Sequence, residues 1–183
     1  MNDGKDRILS VLNLFTGRDG EPGREEEVYI LKAMWLMMLS EFEASLKLKA
    51  ESYIDRIKEN KIEDIHVCLL IRNFFGNKKE ELTANKIIAL YKKSPDEIRY
   101  RNFTKDRVPK YKPQAVEKLF NNLGIFFSED DISALHFLNS VSSTRDSIAH
   151  GDINVQITRK ELEERLEDMI NIMQILEEKL LAT

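Results

Sequence analysis

The 183-residue chain holds a single cysteine, Cys68. No disulfide can therefore form within it, which fits a reducing compartment. Proline and glycine are scarce, at four and seven residues, while 42% of the chain is hydrophobic and 33% charged. That balance excludes collagenous and disordered classes and favours a helical globular protein. No apolar run reaches the roughly 18 residues of a membrane span. The richest stretch, residues 28–39, carries Lys32 and follows Glu25, Glu26 and Glu27, so it reads as a buried helix. The first residues lack the basic start, apolar stretch and small-residue cleavage site of a secretory signal, and a cytoplasmic protein without a membrane partner is expected. The net charge of −4 argues against a surface coated in positive charge for non-specific nucleic-acid binding. Phosphate loops, glycine-rich dinucleotide turns and nucleophile elbows are missing. His66-Val67-Cys68 offers two potential metal ligands, but no neighbouring His or Cys completes a zinc set. Neither a metal nor a cofactor is expected.

What the chain does have is helical periodicity. The length suits one domain. A short amphipathic helix through Ile8, Val11, Leu12 and Phe15, followed by a Gly- and Pro-rich stretch, predicts an N-terminal arm and linker over residues 1–23, with a single helical domain over 24–183. Glu25, Glu26 and Glu27 suit the positive end of a helix dipole. Val28, Leu31, Trp35, Met38, Phe42 and Leu46 then follow at three- and four-residue steps, predicting a long helix to about residue 57. Helices are also predicted over 62–75, over 83–93, from Pro95 and over 113–122, the last ending near Gly124. Ser128 caps the next helix, with an acidic first turn, and this helix is expected to run unbroken through Ile132, Leu135, Leu138 and Val141 to His150, with Gly151 as its stop. Alternation over residues 153–157 suggests a short extended linker. Thr158 and Glu161 form a capping box ahead of a long C-terminal helix. The fold class is all-α: an up-and-down bundle of five to seven helices.

Two stretches carry candidate chemistry. In Arg145-Asp146-Ser147-Ile148-Ala149-His150-Gly151 a cation and a proton-transfer group share the last turn of a helix beside a chain reversal. Arg145 and His150 lie about 140° apart on an ideal helix, a gap that the length of arginine bridges. Asp146 and His150 stand at i and i+4, close enough for the carboxylate to orient the imidazole. The same residues also read as an ordinary basic last turn with a glycine stop. The segment from Arg99 to Lys112 sets six basic residues against one acid, with three aromatics interleaved. Arg99, Arg101, Lys105, Arg107, Lys110 and Lys112 can hold phosphates while Tyr111 stacks on an unpaired base, so single-stranded RNA is a candidate partner. A solvated loop with aromatic anchors explains that composition equally well. His136, inside an apolar helix, reads as a packed or rim histidine.

The Arg145-x4-His150 spacing, the setting of a long first helix, a short helix ending in Asn121-Asn122-Leu123-Gly124-Ile125, an Ile148-Ala149-His150-Gly151 ending and a long C-terminal helix together resemble the HEPN superfamily. The chain looks most like the bacterial branch found in toxin and phage-defence systems, over residues 25–181. The resemblance implies a compact helical bundle and a metal-independent RNA endonuclease whose paired motifs meet across a homodimer. It implies His150 as acid or base, Arg145 as stabiliser of phosphate charge and Asp146 as a residue that orients His150 or positions substrate. Relatives often carry asparagine where this chain has Asp146. The competing expectations are a non-catalytic RNA- or nucleotide-binding or protein-interaction module, and an antitoxin or other regulatory partner.

Overall fold

The computed structural model describes residues 2–14, 25–59, 83, 85 and 111–182. The helices expected over 62–75, over 83–93 and from Pro95, the linker at 15–24, and His66 and Cys68 lie outside them. The described residues form six helices and no strand: α1 (Asn2–Leu12), α2 (Glu25–Lys58), α3 (Pro113–Asn122), α4 (Glu129–Leu135), α5 (Phe137–Ala149) and α6 (Arg159–Leu181). The chain is all-α. Residues 153–157, expected as a short extended linker, make a turn at 153–154 and then open chain that leads into α6.

The apolar stripe of α2 faces inward as its spacing requires. Leu31, Trp35, Met38, Phe42 and Leu46 are all at most 6% exposed, and Ala50, Tyr53 and Ile57 continue the stripe to the end of the helix. Two compact units divide the chain: Met1–Leu46 with Leu135–Ile175, and Lys47–Ala134 with Leu176–Thr183.

In the first unit α1 buries Ile8 and Leu12. Gly4 permits close approach to α2, since a Cβ there would stand 2.8 Å from the Glu41 carboxylate. Arg7 pairs with Glu41 at 2.5 Å, which places that glutamate at an interhelix edge. Lys5 pairs with Glu167, and the Arg159 guanidinium donates to Asn13 at 2.7 Å, so α1 runs opposite to α6. The Trp35 indole N–H donates to the Val141 carbonyl at 3.2 Å, and Lys32 donates to the Asp152 carbonyl at 3.1 Å. These contacts make α5 run opposite to α2, the alternation of an up-and-down bundle. At the start of α6 the Thr158 hydroxyl accepts from the Glu161 N–H at 3.1 Å, which is the capping-box bond the sequence calls for.

In the second unit Lys49 pairs with Glu177, and Arg56 donates to the Leu180 carbonyl at 2.8 Å, so these stretches of α2 and α6 lie side by side. Ser128 and Asp131 cap α4 reciprocally: the Ser128 N–H donates to the Asp131 carboxylate at 2.7 Å, and the Asp131 N–H returns to the Ser128 hydroxyl at 3.3 Å. Lys179 reaches the same carboxylate at 2.6 Å and lies 5.8 Å from the Phe127 ring centre. Burial alone would raise the Asp131 pKa, but the bond and charge of Lys179 together with the two Ser128 bonds hold it below the ordinary carboxylate value.

One helix expected to be continuous is broken. The chain interrupts at His136, which is exposed, as a rim histidine and not a packed one, and serves as the N-cap of α5. Its backbone stays near helical values, at φ −63 and ψ −25, but the Asn139 N–H bonds back three residues to the His136 carbonyl. Leu135 and Leu138 are both buried on either side. The apolar spacing therefore survives an interruption that it cannot reveal. The break also sits where the chain passes from one unit to the other, between Ala134 and Leu135.

Candidate active site

The motif helix is held by buried side chains before any functional group appears on it. Leu138 and Val141 are fully buried, and the Ser142 hydroxyl, 4% exposed, is satisfied by the Leu138 carbonyl at 2.6 Å. In the α-helical ladder the Val141 carbonyl is also the acceptor for the Arg145 N–H. The Trp35 indole thus ties α2 to the turn from which Arg145 projects. Lys32 fixes the chain just beyond the motif through Asp152. One helix, α2, holds both ends of the segment 141–152.

The last turn of α5 then opens to solvent. The Arg145 and Asp146 side chains are 38% and 39% exposed, and Arg145 Nη1 lies 3.3 Å from Asp146 Oδ1. His150 is exposed and forms the C-cap, at φ −82 and ψ 1, its N–H bonded to the Asp146 carbonyl at 3.0 Å. Gly151 adopts φ 77, the left-handed conformation that glycine enters without strain. Its N–H bonds to the Ile148 carbonyl, and the Asp152 N–H to the Ser147 carbonyl, both at 3.0 Å. These are the paired bonds of a Schellman ending, so Gly151 stops the helix as the sequence requires.

The structure therefore sets Arg145, Asp146 and His150 on one open turn. The Asp146 carboxylate meets the Arg145 guanidinium. Among the described residues no side chain hydrogen-bonds the His150 imidazole, although i,i+4 spacing permits a contact from Asp146. The arrangement presents a cation beside a carboxylate, with an exposed histidine on the same turn. An anionic oxygen can be received by the guanidinium, and a proton exchanged at the imidazole.

The basic segment fares differently. Arg99, Arg101, Lys105, Arg107 and Lys110 lie outside the described residues. Tyr111 is 4% exposed, so its ring belongs to the core of the second unit and is no stacking platform. Lys112 is the N-cap of α3, its carbonyl accepting from the Ala115 and Val116 N–H groups at 3.0 and 3.1 Å. Proline at the first position of that helix explains the cap. No group of three or more His, Cys, Asp or Glu among the described residues is placed to hold a metal ion, and no described helix is long and apolar enough to cross a membrane.

Two residues that position the motif escape sequence reasoning. Trp35 reads as one more member of an apolar stripe, and Lys32 only as a charge that marks the stretch as a buried helix rather than a membrane span. Their partners lie 106 and 120 residues away, and no local pattern announces either pairing.

No curated protein and no solved structure matches the chain. The RiboL-PSP-HEPN family model matches residues 2–182, from the first turn of α1 to beyond the end of α6. With the helical fold and the open Arg145-x4-His150 turn in place, that match means that the chain belongs to the RiboL-PSP-HEPN family, within the HEPN superfamily.

Proposed function

We propose that the protein is a metal-independent RNA endonuclease whose active site is completed by a second copy of the chain, acting in the cytoplasm as a toxin or phage-defence effector. The observation that carries this reading is the open last turn of α5, where Arg145 and exposed His150 are presented together in a HEPN chain. One such turn supplies a single arginine and a single imidazole. In-line cleavage needs a base at the 2′-hydroxyl and an acid at the leaving 5′-oxygen, and two copies supply both. The 2′-oxygen attacks phosphorus as the bond to the 5′-oxygen breaks. One His150 takes the 2′-hydroxyl proton, and the His150 of the second copy protonates the departing oxygen. Arg145 stabilises the charge that builds on the phosphoryl oxygens. Asp146 holds the Arg145 guanidinium. The products are a 2′,3′-cyclic phosphate and a 5′-hydroxyl, and DNA, lacking the nucleophile, resists. The test is incubation with RNA and with DNA of matched sequence in EDTA, followed by analysis of the product ends. Cleavage of both, or 3′-hydroxyl products, contradicts the mechanism.

The Arg145–Asp146 contact favours a second reading. A carboxylate beside the guanidinium weakens its attraction for phosphate, which suits a non-catalytic RNA- or nucleotide-binding module, or an adaptor or antitoxin partner. Retained RNA binding without cleavage at any protein concentration selects it.

A further inference from the structure

A cleft of about 640 Å³ lies within the first unit, between the first turns of α2 and the chain leaving α5. Its walls include Ile148 and Gly151, which flank His150 in sequence, together with Leu36, Lys32, Tyr29 and Ile153. Tyr29 and Ile153 are 66% and 85% exposed, so an aromatic face and an aliphatic side chain stand open at one concave site. Its volume and its mostly apolar lining with a few polar groups fall in the range of ligand clefts, and it is widely open to solvent, as a site for part of a longer strand would be. Lys32 uses one of its three N–H donors on the Asp152 carbonyl and keeps two for a ligand. The Asp152 carboxylate, the opposing charge, accepts from the backbone and side-chain amides of Asn154 at 2.9 and 3.2 Å. Gly151, the residue that follows His150, lines the cleft, so the cleft borders the chain that carries the imidazole.

We propose that this cleft receives a nucleotide of single-stranded RNA that flanks the scissile phosphate, with its base stacked on Tyr29 and a phosphate oxygen at Lys32. The inference rests on the ribonuclease reading for the identity of the polymer. Its chemistry is that of base stacking on an aromatic ring beside a cation, the sequence-tolerant mode of single-strand recognition. The cleft makes α2 a substrate-binding helix as well as the support of α5.

The test is fluorescence anisotropy of a labelled single-stranded RNA of mixed sequence, with adenosine and uridine monophosphates as competitors and sedimentation velocity in parallel. Tyr29→Ala is expected to weaken RNA binding about tenfold, while Tyr29→Phe retains it. Lys32→Met is expected to weaken binding and to lower the salt dependence by about one ion. Sedimentation stays unchanged throughout. RNA affinity unaltered by Tyr29→Ala and Lys32→Met overturns the proposal. So does a loss of affinity that follows a change in sedimentation, which makes the cleft a contact between proteins. Competition by a mononucleotide as strong as that by RNA makes it a free-nucleotide site and also overturns it. Cleavage at the wild-type rate and affinity by Tyr29→Ala removes the cleft and leaves the nuclease standing. RNA binding through Tyr29 without cleavage keeps the cleft and removes the nuclease.

Discussion

Two helices in this chain end the same way and do different things. At the end of α3 the Gly124 N–H bonds to the Asn121 carbonyl at 3.1 Å, and the Ile125 N–H to the Phe120 carbonyl at 2.9 Å, with Gly124 at φ 82. At the end of α5 Gly151 and Asp152 repeat the pattern with Ile148 and Ser147, at φ 77. Each helix is also held by an aromatic donor from α2. The Tyr53 hydroxyl donates to the Leu123 carbonyl at 3.3 Å, and the Trp35 indole to the Val141 carbonyl at 3.2 Å. The difference lies in the side chains. Leu123 and Phe120 are fully buried and Ile125 is 5% exposed, the apolar surroundings that often accompany this ending. His150, Gly151 and Asp152 are exposed. The backbone stop is thus a generic device, sealed by apolar side chains in one unit and left open with ionisable ones in the other. Only the open version has groups that a ligand can reach.

The contrast predicts that the two cap residues fail in opposite ways. Leu123→Ala should cost about 2–5 kcal/mol of stability, because it empties fully buried volume. His150→Ala should stay within about 0.5 kcal/mol of wild type, as an exposed substitution does. Urea unfolding measures both, and equal losses would show that the α5 end is as structural as the α3 end. A smaller effect is expected at Gly151→Ala. No atom lies within 4 Å of an added Cβ, so only the left-handed backbone opposes the change, at about 1 kcal/mol. A stability loss well above that would mean that the turn is packed rather than open. The smallest effect concerns Asp131 in the sealed unit. Its folded-state pKa is lowered, so its stabilising contribution is present above the ordinary carboxylate pKa and is lost as pH falls through the folded value. Asp131→Asn should flatten the acid limb of stability against pH; an unchanged acid limb would remove the Lys179 pairing from the account.

The local chemistry of both endings is legible in the sequence. Glycine after a periodic run marks each stop, serine and threonine mark the starts of α4 and α6, and the stripe from Leu31 to Leu46 gives the inward face of α2. What separates the endings is not legible, because Leu123 and His150 occupy equivalent caps and burial is decided by partners far along the chain. Tyr111 shows the same limit, since an aromatic among basic residues suggests a stacking platform while packing encloses it. The break at His136 is hidden because Leu135 and Leu138 keep a helical spacing across it. The Arg145-x4-His150 spacing is legible in the sequence. Its support from Trp35 and Lys32 is not.

The rate of RNA cleavage in EDTA by wild type, His150→Ala and Arg145→Ala, each shown by urea unfolding to be folded, tests whether the open turn of α5 carries the chemistry. Wild type is expected to cleave without metal and each variant to lose about 100-fold or more in rate, at stabilities near wild type. Cleavage by both variants at the wild-type rate would contradict this and move the chemistry away from the open turn of α5.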